Sequence, residues 1–211
     1  MSFTSAILDS YLEAHASTED PILAALTRET FLKIPMPQML SGHVQGLFLE
    51  NISRMIRPRR ILEIGTFTGY ATLCLAKGLT DDGIIYTLDI NEELESIFSK
   101  YFIQSGLDKK IKFLAGNALK TIPEIKEEFD LVFIDADKMN YINYYDLIID
   151  KVNSGGYIIT DNVLWSGKVL DDNKDKETEN IHRFNIKLAA DVRIQNVIIP
   201  IRDGINLARK L

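Results

Sequence analysis

The chain has 211 residues, 46% of them hydrophobic and 26% charged, with a formal net charge of −6 at pH 7. Such a length and composition suit a globular protein with a sizeable core and exclude an uncollapsed chain. The acidic balance argues against nucleic acid or an anionic membrane as a partner held by the global field. Every apolar stretch is shorter than the about 20 residues needed to span a bilayer.

The N-terminus, MSFTSAILDSYLEAHA, has acids and no basic n-region, so a signal peptide is not expected there. The first 58 residues read as a helical extension of a single domain, with an α/β core over 59–211. Segment 20–33 sets Ile22, Leu23, Leu26 and Thr30 on one stripe, and 43–56 does the same with Val44, Leu47, Phe48, Ile52 and Met55. Pro35 and Pro37 interrupt helix between them. From residue 61 short apolar runs alternate with helix-length segments: 61–64, 84–88, 111–114, 130–134 and 157–160. Of those segments 91–104 is the clearest, with Leu94, Ile97, Phe98, Tyr101 and Phe102 at helical spacing behind Glu92 and Glu93. Runs that are apolar throughout predict strands covered on both faces, hence a parallel α/β sheet. The charged stretch 171–180 reads as a solvated loop or the start of a polar helix. Runs 194–201 and 205–208, joined through Arg202-Asp203-Gly204, predict a hairpin and an antiparallel last strand.

The single cysteine, Cys74, excludes an internal disulfide and suits a reducing compartment, so a cytoplasmic protein is expected. It reads as a small buried hydrophobe. His15, His43 and His182 are too scattered for a spaced ligand pair, which disfavours zinc. His15 reads as a helix-surface residue.

Ligands of open α/β sheets sit beyond the carboxyl ends of the strands, so the residues following each run carry the functional argument. The first run leads into Gly65-Thr66-Phe67-Thr68-Gly69. This GxxxG turn lacks the middle glycine of a dinucleotide site and suits a ligand without pyrophosphate. Asp89 lies 24 residues beyond Gly65, near the roughly 20 expected for an acid that binds ribose hydroxyls. Its alternative role is a helix cap, which Asn91 can also supply. The fourth run ends in Asp135-Ala136-Asp137-Lys138, and the fifth in Asp161-Asn162. If those two strands are neighbours, Asp135, Asp161 and Asn162 converge as hard oxygen donors suited to Mg²⁺, Mn²⁺ or Ca²⁺. Taken singly, each also fits a turn or capping role.

The combination of EIGTFTGYA, TLDIN, FIDADKMNYINYY and TDNVLWSG resembles the class I S-adenosylmethionine-dependent O-methyltransferases. Within them it is most similar to the cation-dependent caffeoyl-CoA and catechol O-methyltransferase group, from about Gln38 through the closing DGINLARKL. The resemblance implies a Rossmann-like, seven-stranded, mostly parallel sheet with helices on both faces, S-adenosylmethionine, a divalent cation (Mg²⁺ first) and a homodimer. By position it implies that Glu63, Gly65, Thr66 and Ala71 line the methionine and ribose part of the cofactor. Ser41 would lie nearby, mostly through its backbone. Asp89 would hold the ribose hydroxyls, Ala118 (beside Asn117) the adenine, and Asp137 the cofactor's amino group. Asp135, Asp161 and Asn162 would ligate the metal, and Lys138 matches the catalytic lysine. Two departures bear on the substrate. The segment 39–46 lacks the acidic residue usual two or three positions before the glycine, and Ser166 stands where plant enzymes carry a substrate-binding Asn.

The implied substrate is a small aromatic diol methylated on one hydroxyl. A phenol has a pKa of about 10, so its nucleophilic form is scarce at neutral pH without a cation to stabilise it. Lys138, its ammonium disfavoured beside that cation, would take the proton. Trp165 is expected either over the substrate ring or in the core, and Tyr141, Tyr144 and Tyr145 mostly in packing or dimer contacts. A haloacid-dehalogenase-like phosphatase built on Asp135 and Asp137 would need a different residue pattern after Asp137 and leaves the glycine turn unexplained. An NAD-dependent dehydrogenase lacks its middle glycine. A non-catalytic cofactor-binding module has no need of the metal set and the lysine.

Overall fold

The computed structural model describes residues 6–211, so the first five residues of the expected helical extension lie outside it. The extension holds α1 (Ala6–Ala14), α2 (Pro21–Lys33) and α3 (His43–Ile56). Helix α2 starts where Asp20 accepts a bond from the Ile22 amide (2.8 Å) and Pro21 fills the first position. It buries Leu23, Leu26 and Thr30, three of the four residues its spacing predicts.

Helix α3 corrects the sequence reading. Its buried residues are Gln45, Gly46, Leu49 and Ser53, whereas the predicted apolar stripe lies half-buried on the flank and Met55 is exposed. The reason is close packing on α4 (Tyr70–Ala76) through small residues. A Cβ on Gly46 would come within 2.6 Å of the Tyr70 ring and 2.9 Å of Cys74 Sγ. Ser53 Oγ donates to the Leu75 carbonyl at 2.6 Å.

The remaining elements in chain order are β1 (Arg60–Ile64, before α4), β2 (Ile84–Asp89), α5 (Glu95–Gln104), β3 (Ile111–Ala115), α6 (Ala118–Glu124), β4 (Phe129–Ile134), α7 (Tyr141–Ile148), β5 (Val152–Thr160), α8 (Lys176–Ala190), β6 (Ile194–Ile199) and β7 (Ile205–Lys210). They form one seven-stranded sheet of order β3-β2-β1-β4-β5-β7-β6. Strands β1 to β5 pair in parallel, while β7 runs antiparallel to both neighbours. Alternate residues feed two cores. Leu62, Ile64, Val132, Ile134 and Ile158 pack beneath α6, α7 and α8, while Ile61, Leu131, Phe133 and Ile159 pack on the face covered by α2 to α5. This double burial is why the strands read as continuous apolar runs.

Strand β5 begins at Val152, five residues before its apolar run. Asn153, Ser154, Gly155 and Gly156 hide its start, and the register shifts opposite them, between Phe129 and Leu131. The charged stretch resolves into a loop and then α8, which Asp175 caps by accepting from the Thr178 amide. Among the described residues no helix is long and apolar enough to cross a membrane.

Candidate active site

The sheet register aligns the carboxyl ends of five strands. Ile64 pairs with Leu88 and Ile134, Ile134 with Thr160, and Asp89 with Ala115. The next residues along β1, β4 and β5 are therefore Gly65, Asp135 and Asp161, level with Asp89 on β2. The neighbouring-strand condition set by the sequence is met, and Asp135 and Asp161 leave adjacent parallel strands at equivalent positions.

At the β1 end, the Gly65 and Thr66 amides both donate to the Leu88 carbonyl, at 2.8 and 3.2 Å. Gly65 has φ 107°, and a Cβ there would lie 2.0 Å from the Asp135 carbonyl oxygen. What its missing side chain admits is thus the chain leaving β4. At Gly69 the same test meets the Phe102 ring at 2.6 Å, so this glycine lets α5 close on the turn. Asp89 accepts from the Phe67 amide (2.8 Å) and the Asn91 amide (2.9 Å), tying the glycine turn to β2. Asn91 itself does the capping. Thr66 is buried, its hydroxyl 2.6 Å from that of Thr87. Ala71 and Ala118 are buried in the first turns of α4 and α6, and Asn117 caps the latter.

Glu63 sits inside the sheet with no exposed surface. Its Oε2 accepts from the Thr72 and Thr87 hydroxyls, both at 2.5 Å, while Oε1 has no partner. Burial, against the two threonine bonds, pushes its carboxyl up to about 8.

The β4 and β5 ends hold the charged cluster. Lys138 Nζ donates to Asp135 Oδ1 at 3.0 Å and to Tyr141 Oη at 2.7 Å, and Tyr141 in turn donates to the Asp161 carbonyl at 2.9 Å. Lys138 is therefore paired with Asp135 rather than Asp137. Burial opposes its ammonium, but Tyr141, Asp135 and Asp161 outweigh that and hold it above the ordinary lysine value. Asp161, almost fully buried, is pushed up by burial and by Asp135. Asp161 Oδ1 accepts from the Asn162 amide (2.7 Å), and Asn162 adopts φ 56°. Asp137 is exposed and directed elsewhere, accepting from Asn140 (2.7 Å) and Tyr144 Oη (2.5 Å).

Around this cluster, Trp165 is half-buried with its ring centroid 6.0 Å from Lys138 Nζ. Trp165 and Ser166 both have positive φ, and Asp203 holds them by accepting from the Ser166 amide. Asn180 on α8 donates to the Lys138 carbonyl at 2.5 Å. Ser41 is buried, and its carbonyl accepts from Arg202 Nη1. His15 is exposed and stacks on Tyr11, and Cys74 is fully buried, as the sequence reads them.

Sequence reasoning missed Gln45, Arg202, Asn180 and the polar roles of Tyr141 and Tyr144. Tyr141 follows Lys138 by three residues, a spacing that brings side chains together on helical turns. Gln45 and Arg202 carry no local signal, being 116 and 41 residues from Asp161 in opposite directions. Two surface cavities of about 560 and 330 Å³ are lined by none of the expected site residues, so strand-end register defines this site.

The donor set suits a hard divalent cation. Two carboxylates held near each other, one buried and raised by the other's charge, form an arrangement that a cation relieves. Among the described residues no group of three or more His, Cys, Asp or Glu gathers at a point, so the side-chain oxygen of Asn162 would be the third donor.

A mostly parallel seven-stranded sheet with an antiparallel last strand and polar residues at its carboxyl edge defines a Rossmann-like methyltransferase. Solved structures agree. The O-methyltransferase TomG from Streptomyces achromogenes, in complex with S-adenosylmethionine, superposes with a TM-score of 0.89 at 27% identity, covering 97% of this chain and 96% of that one. The Bacillus cereus O-methyltransferase in complex with S-adenosylhomocysteine gives 0.88 at 29% identity, covering 97% of each. In sequence, caffeoyl-CoA O-methyltransferase 5 of Nicotiana tabacum is 35% identical, across 98% of this chain and 91% of the relative. The chain belongs to the O-methyltransferase family, whose model matches residues 13–211. Membership sets aside the phosphatase, dehydrogenase and non-catalytic readings.

Proposed function

We propose that this O-methyltransferase moves the methyl group of S-adenosylmethionine to one hydroxyl of a vicinal aromatic diol, with a divalent cation held by Asp135, Asp161 and Asn162. The observation that carries the reading is the pair of carboxylates at register-matched ends of β4 and β5, with Lys138 bonded to the first. Bound there, the cation (Mg²⁺ first) supplies charge that stabilises an ionised hydroxyl. The chain's residues do the rest. Gly65, Thr66, Ala71, Asp89, Ala118 and Ser41 receive the cofactor along the carboxyl edge. The unpartnered Glu63 Oε1 and exposed Asp137 offer acceptors to its polar groups. The hydroxyl oxygen attacks the methyl carbon, the carbon–sulfur bond breaks toward sulfur, and the proton passes to Lys138 Nζ. That ammonium is favoured while the nearby carboxylates are uncompensated and disfavoured once their charge is matched, which frees the nitrogen to act as base. Trp165 flanks the ring, as its position over Lys138 supports.

The proposal covers a single domain over 1–211 in a cytoplasmic homodimer. Buried Cys74 suits a reducing compartment, and exposed Phe31, Leu32, Met36 and Met39 offer an apolar face to a second copy. The test is a methyl-transfer assay on catechol and caffeoyl-CoA. EDTA should abolish turnover and excess Mg²⁺ restore it, and Asp161→Ala should lose about a hundredfold or more. Lys138→Met should lower kcat while S-adenosylhomocysteine affinity stays unchanged. A rate indifferent to EDTA overturns the metal assignment, and loss of nucleoside affinity in Lys138→Met overturns the lysine's role.

A further inference from the structure

The buried end of Asp161 is held by groups that the ligand set does not include. Gln45, on the face of α3 turned to the sheet, has no exposed surface, and its Nε2 donates to Asp161 Oδ2 at 2.7 Å. Arg202, in the turn between β6 and β7, donates from Nη1 to Gln45 Oε1 at 3.3 Å, to the Leu40 carbonyl at 3.0 Å and to the Ser41 carbonyl. These partners fix the amide's direction. Turned over, Gln45 would set its NH₂ against a guanidinium that can only donate, and its oxygen against a carboxylate that can only accept. With the Asn162 amide on Oδ1, both Asp161 oxygens are oriented by neutral donors, and each keeps a lone pair.

We propose that Gln45 is a positioning residue for the cation site: clamped by Arg202, it aims the Asp161 carboxylate at the place shared with Asp135 and Asn162. The inference rests on the metal reading above. A neutral amide suits this role because it orients the ligand without adding a charge that competes with or repels the cation. An acidic side chain at this point would present two carboxylates to each other across 2.7 Å, and a basic one would place a rival cation on Asp161. Outer partners of metal ligands act in this way, and their loss typically weakens metal affinity by about ten- to a hundredfold.

A merely structural Gln45, stapling α3 to β5, would affect folding and nucleoside binding as much as the metal. The test is therefore Mn²⁺ titration of the metal-free full chain, with free Mn²⁺ read by electron paramagnetic resonance. S-adenosylhomocysteine affinity is measured on the same samples by calorimetry. Gln45→Met, which keeps the length and removes the donor, should bind Mn²⁺ about ten- to a hundredfold more weakly than wild type, with nucleoside affinity within about twofold. Gln45→Asn retains an amide but retracts it by one carbon. It should weaken Mn²⁺ in the same direction and carries the test if the methionine variant does not fold. Wild-type protein that binds Mn²⁺ together with variants that bind it equally well overturns this inference alone, as does an equal loss of nucleoside affinity. Wild-type protein that binds no Mn²⁺ overturns the metal reading and this inference together.

Discussion

Glu63 shows how much a single residue's surroundings decide. It stands within the apolar run of β1, fully buried without a counter-charge and bonded only to two threonine hydroxyls. Burial raises its carboxyl from 4.5 to about 8, so the folded chain keeps a proton that the unfolded chain releases. Stability from this group is whole below the unfolded value, falls as pH rises through the window between the two, and is lost above the folded value. Glu63→Gln cannot ionise. In the cofactor-free protein its melting temperature should gain on wild type by several degrees between pH 5 and pH 9. Parallel melting profiles across that range would show that Glu63 ionises as an ordinary carboxylate does. The polar residues that follow β4 and β5 contrast with this one. Asp135, Asp161, Asn162 and Lys138 were legible because polar groups directly after apolar runs stand out. Glu63, inside its run, gave no sign of its depth.

At the scale of elements, the site depends on how closely β1 and β4 approach at their carboxyl ends. The Asp135 carbonyl occupies the space where a side chain on Gly65 would go, and the Asp135 amide donates to the Ile64 carbonyl at 2.9 Å. Gly65→Ala meets backbone on one side and a positive φ on the other, with no flexible side chain to give way. We expect a loss of about 2–4 kcal/mol from overpacking and strain, read by urea denaturation, together with loss of methyl transfer as Asp135 shifts. An alanine variant with native stability would show that the two strands can part there at little cost. Most elements were readable in advance. Strands covered on both faces gave unbroken apolar runs, and α5 gave a clean helical period. Helix α3 was placed correctly but rotated wrongly, because Gly46 and Ser53 pack tightly through their small size and periodicity counts only apolar residues. The early start of β5 was hidden by its glycines for a related reason: backbone pairing holds that stretch, and its side chains carry no pattern.

For the molecule as a whole, cofactor binding and stability are linked by mass action. S-adenosylhomocysteine at a hundred times its dissociation constant should stabilise the fold by about 2.7 kcal/mol. For a chain of this size that corresponds to a rise in melting temperature of roughly 5–10 °C. NAD at the same concentration should give no shift, since the turn after β1 has no glycine between Gly65 and Gly69 to admit a pyrophosphate. Equal shifts with both would mean that the carboxyl edge recognises only the adenosine they share.

By itself the sequence determined the α/β class, the order of elements, the antiparallel final strand and the acids at the ends of β2, β4 and β5. All of these follow from local composition, because burial on two faces, turn residues and strand-end polarity are written in consecutive residues. The tertiary structure alone decided which of those acids meet, which glycine makes room for chain and which for a helix, and which amide reaches Asp161. Such contacts join α3, β5 and the β6–β7 turn across more than a hundred residues, and their energies depend on distances that no local pattern encodes.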